Sequence, residues 1–258
     1  MIDTYQVMKN FESEVQSLRY YIPNQHGAWA MLIIPFLFGM IASNPTPDHI
    51  ILFTCWLIIY LLMFAVLQWI RTKKTRFYRK PVLVYSVLLM PCAVWLVLLH
   101  PFIVVLALLF LPLFIVNAYF ARKKKERALL NDIAAIIQFS LMVFISFYIG
   151  EGTDYRLATA LFIVSIFYFV GTAFYVKTII REKNNKRFYY YSISYHIVLI
   201  LLSLWLLPWT MVVVSAILLL RAAWLPRTGI TAKQAGMSEI VCSIIVLMSV
   251  WINYVCYV

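Results

Sequence analysis

Charge is scarce in this chain. Only 12% of its 258 residues are Asp, Glu, Lys or Arg, about half of what a soluble domain carries. Acidic groups are scarcer still, ten against 22 Lys and Arg. No carboxylate pair stands at metal-binding spacing on any expected helix, and there is no HExxH or Gly-rich phosphate loop. With seven glycines, flexible or close-packed backbone sites are few. The four cysteines, Cys55, Cys92, Cys242 and Cys256, are isolated in apolar segments. Without a CxxC they indicate neither a disulfide framework nor a zinc site, and they read as small buried residues. Residues 1–27 carry Asp3, Glu12 and Glu14 and lack a short apolar core with a small-residue cleavage site. The first span is therefore expected to be retained.

What the chain has instead is hydrocarbon. It is 64% hydrophobic with a mean hydropathy of +0.87, in runs of about 20 residues, the length that crosses a bilayer as a helix. The cations alternate along it. Of 22 Lys and Arg, six lie in 71–80, five in 122–127, five in 177–187 and three in 221–233, leaving Lys9, Arg19 and Arg156. Between these patches run pairs of apolar segments joined by turns nearly free of Lys and Arg. This is the positive-inside pattern. The formal charge of +12 therefore reads as loop anchoring to anionic headgroups, and no nucleic-acid partner is expected.

The pattern predicts an all-α polytopic membrane protein with nine spanning helices, over 27–43, 49–70, 81–99, 102–120, 129–149, 155–180, 189–207, 209–224 and 237–257. Basic loops follow the second, fourth, sixth and eighth spans. The N-terminus is expected in the cytoplasm and the C-terminus outside, in a bacterial cytoplasmic membrane. Before the first span, Ile2, Tyr5, Met8, Phe11, Val15 and Leu18 recur at helical spacing. They read either as an amphipathic surface helix within a segment 1–21 or as a terminus that folds only against the bundle. Loop lengths repeat at an offset of 106 residues, which carries Tyr85–Ser86 onto Tyr191–Ser192 and Arg71 onto Lys177. This predicts one transmembrane domain, 22–258, of two parallel four-helix repeats, about 22–127 and 128–233, plus a ninth helix. Such repeats place a shared site between the halves.

Polar groups in hydrocarbon are site candidates by default, because each costs several kcal/mol unless it faces the interior. They are Asn24, Gln25 and His26 opening the first span, and Gln68 and Arg71 ending the second. Asn117 lies in the fourth, Asn131, Asp132 and Gln138 in the fifth, and Lys177, Arg181 and Glu182 end the sixth. His196 lies in the seventh and Glu239 opens the ninth. Each also has a structural reading: a turn and cap at Asn24, interhelical glue at Asn131 and Gln138, a satisfied interior histidine at His196, and a carboxylate at a positive helix end at Glu239. Lys177 and Arg181, four apart, share a helix face. Either both snorkel to headgroups, or they clamp an anion such as a phosphate, or Glu182 neutralises one of them.

Nine helices in two repeats, with the densest polar ends after the second and sixth, resemble the UbiA superfamily of intramembrane prenyltransferases over residues 22–258. That resemblance implies aspartate-rich motifs holding Mg²⁺ and an isoprenyl diphosphate. Here those ends read Leu67-Gln68-Trp69-Ile70-Arg71-Thr72-Lys73-Lys74 and Lys177-Thr178-Ile179-Ile180-Arg181-Glu182-Lys183. The aspartates are missing, so Mg²⁺ is not expected and no other cofactor is evident. Pro23-Asn24-Gln25-His26-Gly27-Ala28-Trp29-Ala30, Ile180-Arg181-Glu182-Lys183 and Ser194-Tyr195-His196 are similar to the YwiC-like family of bacterial membrane proteins. That likeness implies membership without catalytic residues to carry over.

Two functional classes stay open. In one, a cytoplasm-facing cavity binds or modifies a lipid- or quinone-like ligand with an anionic head. Asn24, Gln25, Gln68, Arg71, Asn131, Lys177, Arg181 and Glu182 would bind it, and His26, Asp132 and His196 would move protons. In the other, the protein is non-catalytic, a transporter or an assembly partner of a membrane complex, and the same residues are packing glue. A divergent UbiA-type prenyltransferase is the remaining alternative. The expected partners are membrane lipids and an isoprenoid or quinone-like molecule.

Overall fold

The computed structural model describes residues 21–23 and 26–255. The expected surface helix over residues 2–18, Asn24, Gln25 and Cys256 lie outside them, as does the side chain of His26. Among the described residues the chain forms nine α-helices and no strand. They are α1 His26–Ile41, α2 Asp48–Thr72, α3 Thr75–Leu99, α4 Ile103–Arg122, α5 Leu129–Ile149, α6 Tyr155–Ile180, α7 Lys186–Leu206, α8 Trp209–Trp224 and α9 Ala232–Val255. One non-helical residue interrupts α4 at Leu109 and α5 at Leu141, and a 3₁₀ turn, Leu225–Arg227, continues α8. Eight helices, α2 to α9, are long and apolar enough to cross a bilayer. The chain is a multi-pass all-α membrane protein. The first helix, α1, has 16 residues, a length of about 24 Å against a hydrocarbon core of about 30 Å.

Three helices begin earlier than the apolar runs alone predict, and two of them have a capping residue that explains it. Pro81 invites a start at 81, yet α3 begins at Thr75 and carries Pro81 and Pro91 inside it. Asn185 caps α7 by accepting from Phe188 N–H at 3.1 Å, which draws the helix back into the basic loop. Thr231 and Gln234 form a capping box at α9. Gln234 N–H donates to Thr231 Oγ1 at 3.3 Å, and Thr231 N–H donates to Gln234 Oε1 at 2.9 Å. The start therefore moves from 237 to Ala232. Glu239 lies two turns inside α9 and does not open it.

The chain divides into two compact units. The first holds residues 50–131 with the described residues 21–23, and so most of α2 with α3 and α4. Its side chains point largely outward, and only 11% of the apolar window of α3 is buried, as expected of helices solvated by lipid. Within it Trp56 meets Phe110 edge-on. Tyr85 donates its hydroxyl to the Tyr21 carbonyl at 3.1 Å.

The second unit holds α1, α5 from Asp132 onward, and α6 to α9. The central helix is α6, which packs against α1, α5, α7 and α9. Asp154 caps it, accepting from Arg156 and Leu157 N–H at 3.0 Å each. The core joins Phe38 of α1, Val143 and Phe147 of α5, Leu161 and Phe169 of α6, Leu218 of α8 and Val246 of α9. Gly39 lets α1 and α5 approach closely, since a Cβ there would run into the Val143 carbonyl and Ser146. Small residues serve this purpose where lipid supplies no hydrophobic drive between helices.

Candidate functional site

Each unit pairs a cation at a basic helix end with a carboxylate of its own. In the first unit Arg71 Nε lies 3.1 Å from Glu126 Oε1. A long 3.5 Å contact joins Arg71 to Gln68. Asn131 donates to the Glu126 carbonyl at 2.7 Å. Asn117 bonds back to the Leu113 carbonyl at 2.8 Å. In the second unit Lys177 Nζ lies 2.7 Å from Asp132 Oδ2. The Lys177 side chain is 11% exposed and that of Asp132 31%. Arg181, exposed one turn further on, also acts electrostatically on Asp132. Glu182 accepts from Asn185 at 2.8 Å and so serves the loop.

A second charged cluster lies deeper in the same unit. Arg221 of α8 and Glu239 of α9 form an ion pair at 2.7 Å, with side chains 5% and 2% exposed. The Arg221 guanidinium stacks on the Tyr175 ring at 4.2 Å, a cation–π contact that suits a desolvated arginine. Tyr175 Oη shares a hydrogen bond of 3.0 Å with Ser238, and Tyr168 Oη one of 2.9 Å with Ser243. Thr172 approaches Glu239 without closing a well-formed hydrogen bond. His196 is buried on α7, close enough to Arg221 for their charges to interact. It makes a 2.7 Å hydrogen bond from Nδ1 to the Ser192 carbonyl. A carbonyl can only accept, so Nδ1 carries the proton and Nε2 is left as an acceptor. The α6 backbone at Gly171 makes room for this ring, because a Cβ there would stand 3.2 Å from His196 Nε2.

The cluster is not fully satisfied. Arg221 Nε and Nη2, Glu239 Oε2 and His196 Nε2 are buried without a well-formed hydrogen bond among the described residues, although the Cys242 thiol approaches Arg221. Buried polar atoms without partners are costly and call for an occupant, whether water or ligand.

Beside it lies a cavity of about 190 Å³ between α6, α7 and α8, with Val246 of α9 also in its wall. Its walls are apolar, with Val164, Leu199, Leu202, Met211 and Val214 among them. Ser203 and Ser215, also in the wall, bond each other at 2.8 Å. Tyr168 contributes to both cavity and cluster.

Of the residues singled out from sequence, Asp132 and Lys177 come together, as do Arg71 and Gln68. His196 joins a different group, with Arg221, Glu239, Thr172 and Tyr168. Arg221 escaped notice because it counts among the loop cations. Its signal is its place one turn from the end of an apolar helix, where a snorkelling arginine and a buried one read alike.

A family model described as YwiC-like protein matches residues 22–147. The chain is 42% identical over 185 residues to a Bacillus subtilis protein named Uncharacterized protein YwiC, across 70% of this chain and 76% of that one. It is 30% identical over 218 residues to an Uncharacterized protein of Haemophilus influenzae, across 84% of this chain and 92% of the relative. No solved structure matches it. With more than two thirds of a relative that is 42% identical covered, the chain belongs to the YwiC-like family.

Proposed function

We propose that this protein holds a lipid- or quinone-like molecule inside its second unit, in a bacterial cytoplasmic membrane. The observation that carries the reading is the apolar cavity of about 190 Å³ between α6, α7 and α8. An apolar cavity of about 150 Å³ already suffices for a benzene-sized ring. Ile163, Phe167 and Leu206 on its wall are also exposed on the outer surface of the helices, so its mouth meets hydrocarbon. A molecule dissolved in the bilayer can enter sideways and leave its tail among the lipids. On this reading the N-terminus lies in the cytoplasm and the four basic loops face anionic headgroups.

The test is lipid-extract mass spectrometry of the gently purified protein beside Val214→Phe, which fills the cavity. A stoichiometric amphiphile in the native protein, lost from a variant of unchanged melting temperature, is the expected result. Extracts of equal composition from both, with nothing stoichiometric, would refute the reading.

A second reading has its own support. Lys177, Arg71 and Arg221 each carry a carboxylate partner, which favours packing and topology roles for these residues. On that reading the protein is a non-catalytic transporter or an assembly partner of a membrane complex. The mass-spectrometric result separates the two.

A further inference from the structure

Four residues that line the cavity each have a polar partner one helical turn away on the same face. Tyr168 is followed by Thr172 on α6, and Leu218 by Arg221 on α8. Leu199 is preceded by His196 on α7, and Val246 by Ser243 on α9. Spacings of three and four residues stack side chains on one helix face. The same four helices therefore wall an apolar chamber and, one turn on, a polar layer. That layer holds the Arg221–Glu239 pair, and its unpartnered atoms are donors on Arg221 and acceptors on Glu239 and His196.

We infer that this layer is the head-group subsite of the ligand proposed above, and that it takes an uncharged head carrying carbonyl or hydroxyl oxygens. The inference rests on that proposal for the ligand's existence and adds its chemistry. Charge decides the class. Arg221 is already neutralised by Glu239 at 2.7 Å, so a phosphate or carboxylate entering here would meet a buried carboxylate with no spare cation. Burying an unpaired charge is far costlier than burying a hydrogen-bonded neutral group. A carbonyl can accept from Arg221 Nε or Nη2, and a hydroxyl can donate to His196 Nε2 or Glu239 Oε2. A quinone and its quinol, or a long-chain alcohol, meet these demands together with the apolar wall.

The test uses the full-length protein in lipid nanodiscs and three probes that share one tail: a decyl-substituted benzoquinone, decanol and decyl phosphate. Binding is read by quenching of intrinsic fluorescence and by competition. The quinone or the alcohol should bind at least tenfold more tightly than the phosphate. The double variant Arg221→Met with Glu239→Met, which leaves no buried charge behind and removes the donors and the carboxylate the head would meet, should weaken the preferred neutral probe about fivefold to tenfold at an unchanged melting temperature, the loss expected for one buried hydrogen bond. Val214→Phe should abolish binding of every probe. Tightest binding by the phosphate would overturn the inference. So would neutral-probe affinities untouched by that double variant while Val214→Phe still abolishes them. In that case the cavity binds tails, and water alone fills the polar layer. If no probe binds the native protein, the ligand proposal fails and the inference with it.

Discussion

Asp132 Oδ2 sits 2.7 Å from Lys177 Nζ, joining the start of α5 to the basic C-terminal end of α6. Lys177 and Arg181 are two like charges on one helix face, and such a pair needs an anion. The protein supplies one from within, because Arg181 also acts on Asp132.

Removing that anion should be felt. Asp132→Asn takes the carboxylate away from buried Lys177, with Arg181 one turn away. The expected loss is about 2–3 kcal/mol, below the usual range for buried pairs because Asp132 is partly exposed. Lys177→Met together with Asp132→Leu should recover most of it. Thermal unfolding in detergent, followed by the monodisperse fraction, gives both values. An unchanged midpoint for Asp132→Asn would make the pair incidental.

Alternating loop charge made the architecture legible, because Lys and Arg at the ends of long apolar runs leave few other arrangements. Helix starts were legible only where a cap was weighed against hydropathy. Thr231 and Gln234 spell a capping box, yet the apolar run begins later, and hydropathy alone put Glu239 at a helix end. Once α9 starts at Ala232, Glu239 is an interior carboxylate in need of a cation. The identity of that cation was not legible. Arg221, Arg227 and Lys233 are alike in sequence, and only packing buries the first. His196 was legible as a candidate, but its companions Thr172 and Tyr168 look like ordinary members of an apolar helix until α6 is turned toward α7 and α9.

Gly39 should tolerate no side chain of size. Its missing Cβ is the space occupied by Val143 and Ser146 of α5, so Gly39→Val must push α1 away. Overpacking of this kind costs about 1–3 kcal/mol. The same substitution at Gly27, where a Cβ meets nothing within 4 Å among the described residues, should have little effect. Comparing the two melting temperatures isolates the close approach from the helix propensity of valine. Equal effects would show that α1 does not depend on this contact.

Orientation has a direct measurement. Loops 71–80, 122–127, 177–187 and 221–233 are expected in the cytoplasm, because their cations set the topology. An alkaline-phosphatase fusion after Val258 should be active, and a fluorescent-protein fusion there dark. Since α1 is short, a fusion in the α2–α3 turn is the needed control. It should give the opposite result whether or not α1 crosses, so two active phosphatase fusions would rule out the assigned orientation.

Arg221 and Glu239 separate a structural from a binding role. With both side chains nearly fully buried, Arg221→Met alone strands a carboxylate, and Glu239→Met alone strands a guanidinium. Each single change should cost about 3–5 kcal/mol. The double Met variant leaves no charge behind and keeps side-chain volume, so its stability should return to within about 1 kcal/mol of the native protein. A pair that serves only to hold α8 against α9 would then be dispensable, and retention of any bound amphiphile would return with stability. A pair that also receives a head group predicts a split: the double variant unfolds at the native temperature but loses the neutral probes, because methionine offers neither donor nor carboxylate. The unpartnered nitrogens and oxygen of the pair favour the split. A stable double variant that still binds the quinone with native affinity would assign the pair to packing.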